Sequence, residues 1–166
     1  VLSKGRLIAP TSIESDGWRL YFEYSDDMGK TWKRTPYVAT DSIMQDGKMR
    51  IKDLAIQPTI IFLSDGRLAA LARTRSEHVA ITYSSDNGET WTKLKLLSLP
   101  NNNSGLDAVT LNNGMHVMIC NEKPIPHGIK NGKGLRTPLS LMKSDDGENW
   151  HHWITLEDSP ISQYSY

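Results

Sequence analysis

Three short stretches of the sequence are variants of one phrase: YSDDMGKTW at residues 24–32, YSSDNGETW at residues 83–91 and MKSDDGENW at residues 142–150. Each ends in a tryptophan, and these tryptophans, at positions 32, 91 and 150, are equally spaced. Aligned on tryptophan, the phrases place Ser25, Asp27, Gly29, Thr31 and Trp32 over Ser84, Asp86, Gly88, Thr90 and Trp91, and over Lys143, Asp145, Gly147, Asn149 and Trp150. A fixed interval of this kind indicates one supersecondary unit used three times.

The residue types in the phrase are those of a turn rather than of a catalyst. Ser and Asp side chains accept hydrogen bonds from nearby backbone amides, Gly allows a positive φ, and a buried Trp ring pins a loop. Strand-like runs stand on both sides, such as WRLYFEY (18–24) before the first phrase and TKLKLLSL (92–99) after the second. Each phrase is therefore predicted to be the turn of an antiparallel hairpin.

A further hairpin is predicted before both the second and the third phrase. The reason is that the pairs Asp65-Gly66 and Asn113-Gly114 are typical of tight turns between strands. Each unit is thus predicted to have four strands, although the first unit begins at what would be its second strand. Four-stranded antiparallel units in series are the blades of an all-β propeller. We predict blades at 1–40 (incomplete), 52–100 and 104–158, and the start of another at 162–166.

Composition bounds the function. The chain has 166 residues, 38% of them hydrophobic and 23% charged, as in one soluble folded domain. Nineteen basic residues balance nineteen acidic ones, so no overall field favours nucleic acid or an anionic membrane surface. Cys120 is the single cysteine, which excludes an intrachain disulfide and a cysteine-based zinc site. We expect no metal and no cofactor, and Cys120 is predicted to be a small core residue.

The phrase S-x-D-x-G-x-T-W resembles the Asp-box of the sialidase, or neuraminidase, superfamily. The first two copies match it at every defined position, and the third departs, with Lys143 in place of Ser and Asn149 in place of Thr. The stretches IQPTIIFLSDGRLAALARTR and NNNSGLDAVTLNNG look like blades of bacterial sialidase-like BNR-repeat proteins. The resemblance implies a six-bladed propeller of about twice this length, secreted or periplasmic. This chain would be an internal piece of it, beside the remaining blades, or two copies would complete a ring.

In propellers of this type the functional face is lined by the loop between the second and third strands of a blade and by the connections between blades. The boxes lie at the periphery, so their aspartates are predicted to be structural. The rule selects the following residues on the face: Glu14, Trp18, Asp53, Gln57, Arg73, Arg75, Glu77, His78, Asn101, Asn102, Asn103, Ser104, Asp107, Asn121, Glu122, His127, Arg136, Tyr164 and Tyr166.

The arginines on this face are the candidates for binding an acidic sugar. Arg73 and Arg75 are two residues apart at a strand end, so both side chains point to one side, and paired guanidinium groups bind a carboxylate well. The alternative is an ion pair between blades that involves Glu77. Sialidases hold the sugar carboxylate with three arginines, and Arg136 is the candidate third. The F/Y-R-I-P phrase of the family is absent, however, and Gln57 stands in the arginine's place.

Candidates for the chemistry are carboxyl and phenol groups. Glu14, Glu77 and Asp107 are the candidate general acids or bases, although each could be a surface carboxylate, and Asp107 could cap a turn. Tyr166, or Tyr164, is the candidate nucleophile, because sialidases use a tyrosine activated by a glutamate; the alternative is a core tyrosine.

The remaining candidates would contact the substrate. Trp18 is predicted to stack on a sugar ring or to be a buried strand-end residue, and Gln57, Asn103 and Tyr164 are further candidates for substrate binding.

The sequence as a whole predicts a sialidase-like, exo-acting glycoside hydrolase that acts on an acidic terminal sugar of a glycan, with this piece inactive alone. Two alternatives stay open. One is a propeller enzyme that cleaves a polysaccharide containing uronate or rhamnose, and the other is a non-catalytic propeller that binds a glycan or a protein. A hydrolase or lyase predicts convergent arginines beside a carboxyl group, whereas a binding module predicts aromatic platforms.

Overall fold

The computed structural model describes residues 5–15, 17–45, 48–51, 55–124, 135–160 and 163–164, with the backbone alone for 42–45 and 48–51. All regular structure in these residues is β-strand, apart from single turns. The first sheet contains β1 (Leu7–Ile13), β2 (Arg19–Ser25) and β3 (Lys33–Arg34), and a separate hairpin follows, made of β4 (Ser42–Gln45) and β5 (Lys48–Ile51). The second sheet contains β6 (Ala55–Phe62), β7 (Leu68–Thr74), β8 (His78–Ser84) and β9 (Lys95–Pro100). The third contains β10 (Asp107–Thr110), β11 (His116–Cys120), β12 (Leu139–Ser144) and β13 (His151–Glu157).

Each large sheet is an antiparallel meander, in which neighbours along the chain are neighbours in the sheet. The predicted all-β fold with four-stranded propeller blades is confirmed, and the first sheet has three strands. We refer to the three sheets as blade 1, blade 2 and blade 3. The β4–β5 hairpin between blade 1 and blade 2 is an addition that the sequence analysis missed.

Two hydrophobic cores lie between neighbouring blades. Between blade 1 and blade 2, the buried side chains include Leu20, Phe22 and Ala70, while the second core, between blade 2 and blade 3, includes Leu71 and Met118. Strand β7 contributes to both cores because its side chains alternate between the two faces of the central sheet. Cys120 belongs to the second core, and burial raises the pKa of its thiol to about 12, so it is a structural residue.

The first two Asp-boxes form the same hydrogen-bonded turn. In the first, the Ser25 hydroxyl donates to Asp27 Oδ1 and accepts from the Gly29 amide, both at 2.8 Å. Asp27 also accepts from the backbone and hydroxyl groups of Thr31 at 2.8 and 2.6 Å, and Trp32 Nε1 donates to Gly29 O at 3.1 Å. The second box repeats these bonds with Ser84, Asp86, Gly88, Thr90 and Trp91.

The third box uses different residues from those that alignment on tryptophan predicts. Ser144 supplies the hydroxyl, which donates to Asp146 Oδ1 at 3.0 Å, so the placement of Lys143 over serine is wrong. Asp146 accepts from the backbone and side-chain amides of Asn149, both at 2.7 Å, so Asp145 is not the box aspartate. The third box therefore keeps the serine bond, although alignment on tryptophan puts Lys143 in the place of the serine.

A difference in loop length explains this shift. The first two boxes carry one residue between aspartate and glycine, Met28 or Asn87, and both have a left-handed backbone with φ of 59° and 58°. In the third box Gly147, with φ of 75°, follows Asp146 directly. Because the turn is one residue shorter, the serine and aspartate that close it lie one position later than a tryptophan-based alignment places them.

Within the described part of the chain, no helix has the length and the hydropathy needed to cross a bilayer.

Candidate functional site

Four segments meet at the edge of the blades opposite the Asp-boxes. They are the β1–β2 loop (14–18), the β7–β8 loop (75–77), the connection from β9 to β10 (101–106) and the residues before β12 (135–138). Contacts link them in series: Arg75 lies over Trp18, the Asn101 amide donates to Glu77 O at 2.8 Å, and Asn102 Nδ2 donates to Leu135 O at 2.6 Å. We call this edge the loop face.

Trp18, Arg73 of β7 and Arg75 of the β7–β8 loop form a cluster at the junction of blade 1 and blade 2. The Arg75 guanidinium carbon lies 4.0 Å from the centre of the Trp18 ring, and that of Arg73 lies 5.3 Å from it. Trp18 is 7% exposed, Arg73 is half-buried and Arg75 is exposed. The two arginines therefore share one side, as their spacing predicts, and the Trp18 ring contacts guanidinium groups.

The loop that carries Arg75 is held by local hydrogen bonds. The Thr74 hydroxyl donates to His78 O at 2.6 Å and accepts from the Ser76 amide at 2.9 Å. Glu77 has a left-handed backbone, with φ of 65°, which turns its exposed side chain at the loop tip. Thr74 was missed by the sequence analysis, although a threonine at a strand end can accept from the backbone amide two residues further on.

The asparagine-rich connection between blade 2 and blade 3 is a buried polar loop. Asn101 Oδ1 accepts from the Asn103 amide at 3.1 Å, and Asn101 Nδ2 donates to Ser104 O at 3.1 Å. The Ser104 hydroxyl donates to Asn102 Oδ1 at 2.5 Å. Asn103 has φ of 63°, and its buried Oδ1 has no hydrogen-bond partner among the described residues. The amides thus replace the hydrogen bonds that a strand would give this backbone.

Gln57 lies at an irregularity in β6, where the register with β7 shifts between Ile56 and Thr59. Its backbone is left-handed, with φ of 54°, and its backbone N–H donates to the Ser12 hydroxyl of blade 1 at 3.1 Å. The buried Oε1 has no hydrogen-bond partner among the described residues. Gln57, which the resemblance places where the family has an arginine, is thus a half-buried residue with a buried carbonyl oxygen at the junction of two blades.

The acidic candidates are in different surroundings. Glu14 and Glu77 are exposed in the two loops that flank the Trp18 cluster. Asp107, in contrast, accepts from the Thr59 hydroxyl at 2.6 Å and from the Ala108 amide at 2.9 Å, which joins blade 3 to blade 2. These bonds give Asp107 a role in holding the blades together.

Blade 3 supplies the other end of the loop face. The Tyr164 amide donates to Arg136 O at 3.0 Å, and both side chains are half-buried. Asn121 is fully buried and donates to Pro138 O at 2.7 Å, and Glu122 Oε1 lies 2.5 Å from Nδ1 of His152.

A cavity of about 410 Å³ lies at the same end of the loop face. Its lining residues are Lys123, Pro124, Leu135 and Thr137, and Thr137 carries a buried hydroxyl without a hydrogen-bond partner among the described residues. The candidates Asp53, His127 and Tyr166 lie outside the described residues. Within those residues, no group of three or more His, Cys, Asp or Glu side chains is placed to hold a metal ion.

Comparisons with known proteins agree with this architecture. The sequence model of the family described as BNR repeat-like domain matches residues 1–166. An anhydrosialidase from Macrobdella decora is 30% identical over 172 residues, which cover 98% of this chain and 21% of the relative. A sialidase from Paraclostridium sordellii is 35% identical over 97 residues, which cover 49% of this chain and 22% of the relative. The chain thus spans about a fifth of the length of these curated relatives.

Solved structures resemble the fold as well. The NanB sialidase from Streptococcus pneumoniae superposes with a TM-score of 0.67 at 21% identity, over 99% of this chain and 23% of the other. The leech intramolecular trans-sialidase superposes with a TM-score of 0.65 at 23% identity, over 97% of this chain and 23% of the other. Both similarities concern the fold, and they place the three blades within a sialidase-type β-propeller.

Proposed function

Because the chain belongs to the family of BNR repeat-like domains, we propose that it contributes to an exo-acting glycoside hydrolase that removes an acidic terminal sugar, such as a sialic acid, from a glycan. The named relatives, an anhydrosialidase and a sialidase, support this proposal. Since the chain spans about a fifth of their length, we expect residues outside it to complete the site, and the chain alone to be inactive.

The observation that carries the proposal is the pair of arginines over Trp18. A guanidinium that lies above an aromatic face is attracted by the ring, and its N–H groups, which lie in its own plane, stay available to a ligand. Arg75 is exposed, so it can bind a sugar carboxylate with two parallel hydrogen bonds. Arg73, closer to the core, adds a second positive charge beneath it.

Glu14 and Glu77 are the groups of this chain that we assign to proton transfer. They lie in the loops next to the arginine pair, where a bound sugar would present its glycosidic oxygen. Asp107 is left out of this assignment because its carboxylate already accepts from the Thr59 hydroxyl and the Ala108 amide. Tyr164 and Tyr166 stay candidates for the nucleophile, and Arg136 for a third carboxylate ligand.

The test is hydrolysis by the full-length protein of fluorogenic sialosides and uronides. We expect the Arg73→Ala, Arg75→Ala double variant to lower kcat/KM on the sialoside by about a hundredfold or more, as the loss of paired charge-assisted hydrogen bonds predicts. Arg34→Ala is the matched control, because Arg34 lies over Tyr21 in blade 1, away from the loop face. Equal activity of the double variant and the control would contradict the proposal.

A second candidate is an enzyme that cleaves a uronate-containing polysaccharide. Gln57 favours it, because an amide stands where the resemblance to sialidases places one of the three arginines that hold the carboxylate of a sialic acid. Turnover of uronides alone, with the same arginine dependence, would support this candidate. Glycan binding without turnover of either substrate would identify a binding propeller instead.

A further inference from the structure

We propose that Trp18 is a positioning residue, whose indole ring holds the side chains of Arg75 and Arg73 in the orientation that receives a carboxylate. The inference rests on the proposed function, because it assigns to Trp18 a part in the same anion site. It replaces the role of a sugar-stacking platform, since the ring is 7% exposed and lies beneath the two guanidinium groups.

The contact crosses a blade boundary. Trp18 precedes β2 in blade 1, whereas Arg73 is near the end of β7 and Arg75 is in the loop that follows it in blade 2. The ring centre is 4.0 Å from the Arg75 guanidinium carbon, within the range of a cation–π interaction. Trp18 therefore couples the position of the arginine pair to the packing of blade 1 against blade 2.

Arg75 needs such a support more than Arg73 does. Its side chain is exposed and starts from a loop, so many rotamers would be open to it without the ring. A guanidinium that is already oriented loses less freedom when a carboxylate binds, and affinity improves accordingly. The ring covers one side of the guanidinium, and the exposed side chain stays accessible to a ligand.

The fold uses aromatic rings for arginine side chains elsewhere as well. Arg6 lies 4.5 Å from the Tyr24 ring centre and Arg67 lies 4.8 Å from that of Tyr83, at the box side of blades 1 and 2. There the arginines also form ion pairs, Arg6 with Asp26 and Glu89, and Arg67 with Asp65. A ring below a guanidinium is thus a recurring support in this fold, and at the loop face it lies below the exposed side chain of Arg75.

The experiment compares two substitutions of Trp18 in the full-length protein. Isothermal titration measures binding of N-acetylneuraminic acid and of its neutral methyl ester. We expect Trp18→Leu to raise the Kd of the acid about tenfold and that of the ester by less than about twofold. The reason is that the ring orients a guanidinium that binds the charged carboxylate, which the ester lacks. Trp18→Phe keeps an aromatic face and should stay within about threefold of the wild type for both ligands.

Controls separate positioning from a loss of folding. Tyr21→Leu removes the ring below Arg34, at 3.9 Å, and should change neither Kd by more than about twofold. In an Arg75→Lys background, Trp18→Leu should cause little further loss, because the planar group that the ring orients is already gone. An equal weakening of acid and ester binding by Trp18→Leu, or unchanged binding of both, would overturn the inference.

Crystal structures of the two variants provide a readout that does not depend on the proposed function. We expect Arg75 to keep its place in Trp18→Phe and to leave it in Trp18→Leu. If the wild type binds neither ligand, the proposed function fails. An Arg75 that stays in place in Trp18→Leu overturns the positioning role whether or not the ligands bind.

Discussion

The first and second Asp-boxes have the same internal hydrogen bonds but different neighbours. Trp91, in the second box, stacks on Phe22 of blade 1, with ring centres 3.7 Å apart and planes within 12°. Trp32, in the first box, is 47% exposed, although it makes the same bond to its own glycine carbonyl. The hydrogen bonds therefore depend on the phrase itself, while the burial of the tryptophan depends on the preceding blade.

The third box behaves like the second in spite of its shorter turn. Trp150 is 9% exposed and belongs to the core between blade 2 and blade 3. The glycines follow the same division: a Cβ on Gly88 would lie 2.4 Å from Ile8 Cδ1, and one on Gly147 would lie 2.8 Å from Ile61 Cδ1. We call the second and third boxes docked, because they pack against the preceding blade. Each docked box thus closes its own turn by hydrogen bonds and also holds the preceding blade in place.

The largest difference in stability between a docked and an undocked box is expected when the box tryptophan is replaced. Trp150→Ala should lower the free energy of unfolding by about 3–5 kcal/mol, because it removes a large ring from a packed core. Trp32→Ala should cost about 1 kcal/mol or less, because that ring is half in solvent. Urea denaturation of the two variants beside the wild type measures both values, and equal losses would contradict the role of docking.

Substitutions of the box glycines should differ in their loss of stability by a smaller amount than those of the tryptophans. Gly29→Ala and Gly88→Ala both place a Cβ at a φ near +88°, which costs about 1–2 kcal/mol in each box. Gly88→Ala should cost about 1–3 kcal/mol more, because its Cβ meets the Ile8 side chain. Adding Ile8→Val removes the Cδ1 atom and should recover most of that extra loss in thermal or urea unfolding. An extra loss that persists in the double variant would point to a cause other than this contact.

Acid should weaken docked and undocked boxes alike. Hydrogen bonds from the Thr31 hydroxyl and amide lower the pKa of Asp27 to about 2, from an ordinary value of 3.8, and those from Asn149 lower the pKa of Asp146. Because the pKa is lower in the folded state, the stabilisation is full above pH 4 and is lost as the pH falls towards 2. NMR titration of the carboxyl carbons checks the midpoints, and Asp27→Asn should flatten the pH dependence of unfolding. A midpoint for Asp27 near 4 would contradict the hydrogen-bonded turn.

The smallest effect is expected for the ion pair across the first blade junction. The Arg6 side chain donates to Glu89 Oε1 at 2.8 Å and to Asp26 Oδ1 at 2.5 Å. Glu89→Gln should lower stability by about 0.2–1 kcal/mol, and the difference should shrink at high salt, because the carboxylates are largely exposed. Unfolding at two salt concentrations tests it, and a salt-independent difference would show that charge is not the cause.

The sequence was informative wherever a local rule applies. The Ser, Asp and Gly residues of the first two boxes predicted the turn, and the Asp-Gly and Asn-Gly pairs predicted hairpins that the structure contains, as in the bond from the Gly66 amide to Leu63 O at 3.0 Å. The spacing of Arg73 and Arg75 also placed both side chains on one side of a strand end. Each of these predictions concerns residues a few positions apart, for which backbone geometry fixes the relation.

The candidate site was less accessible to such reasoning. Sequence alone could not assign Asp107 to the Thr59 hydroxyl, because the two residues belong to different blades. The role of Trp18 as a support for two arginines likewise depends on how blade 1 packs on blade 2. Contacts of this kind join segments that are far apart in the chain, and residue type by itself does not select the partner.

The sequence by itself determined a repeated antiparallel blade and its box turns, because hydrogen bonds within eight or nine residues decide them. Tertiary structure decided which copies of the box tryptophan are buried. It also decided where the arginine pair lies. The physical reason is that burial and cation–π contact require a surface from another blade, whereas the hydrogen bonds of a box turn join residues of one short segment.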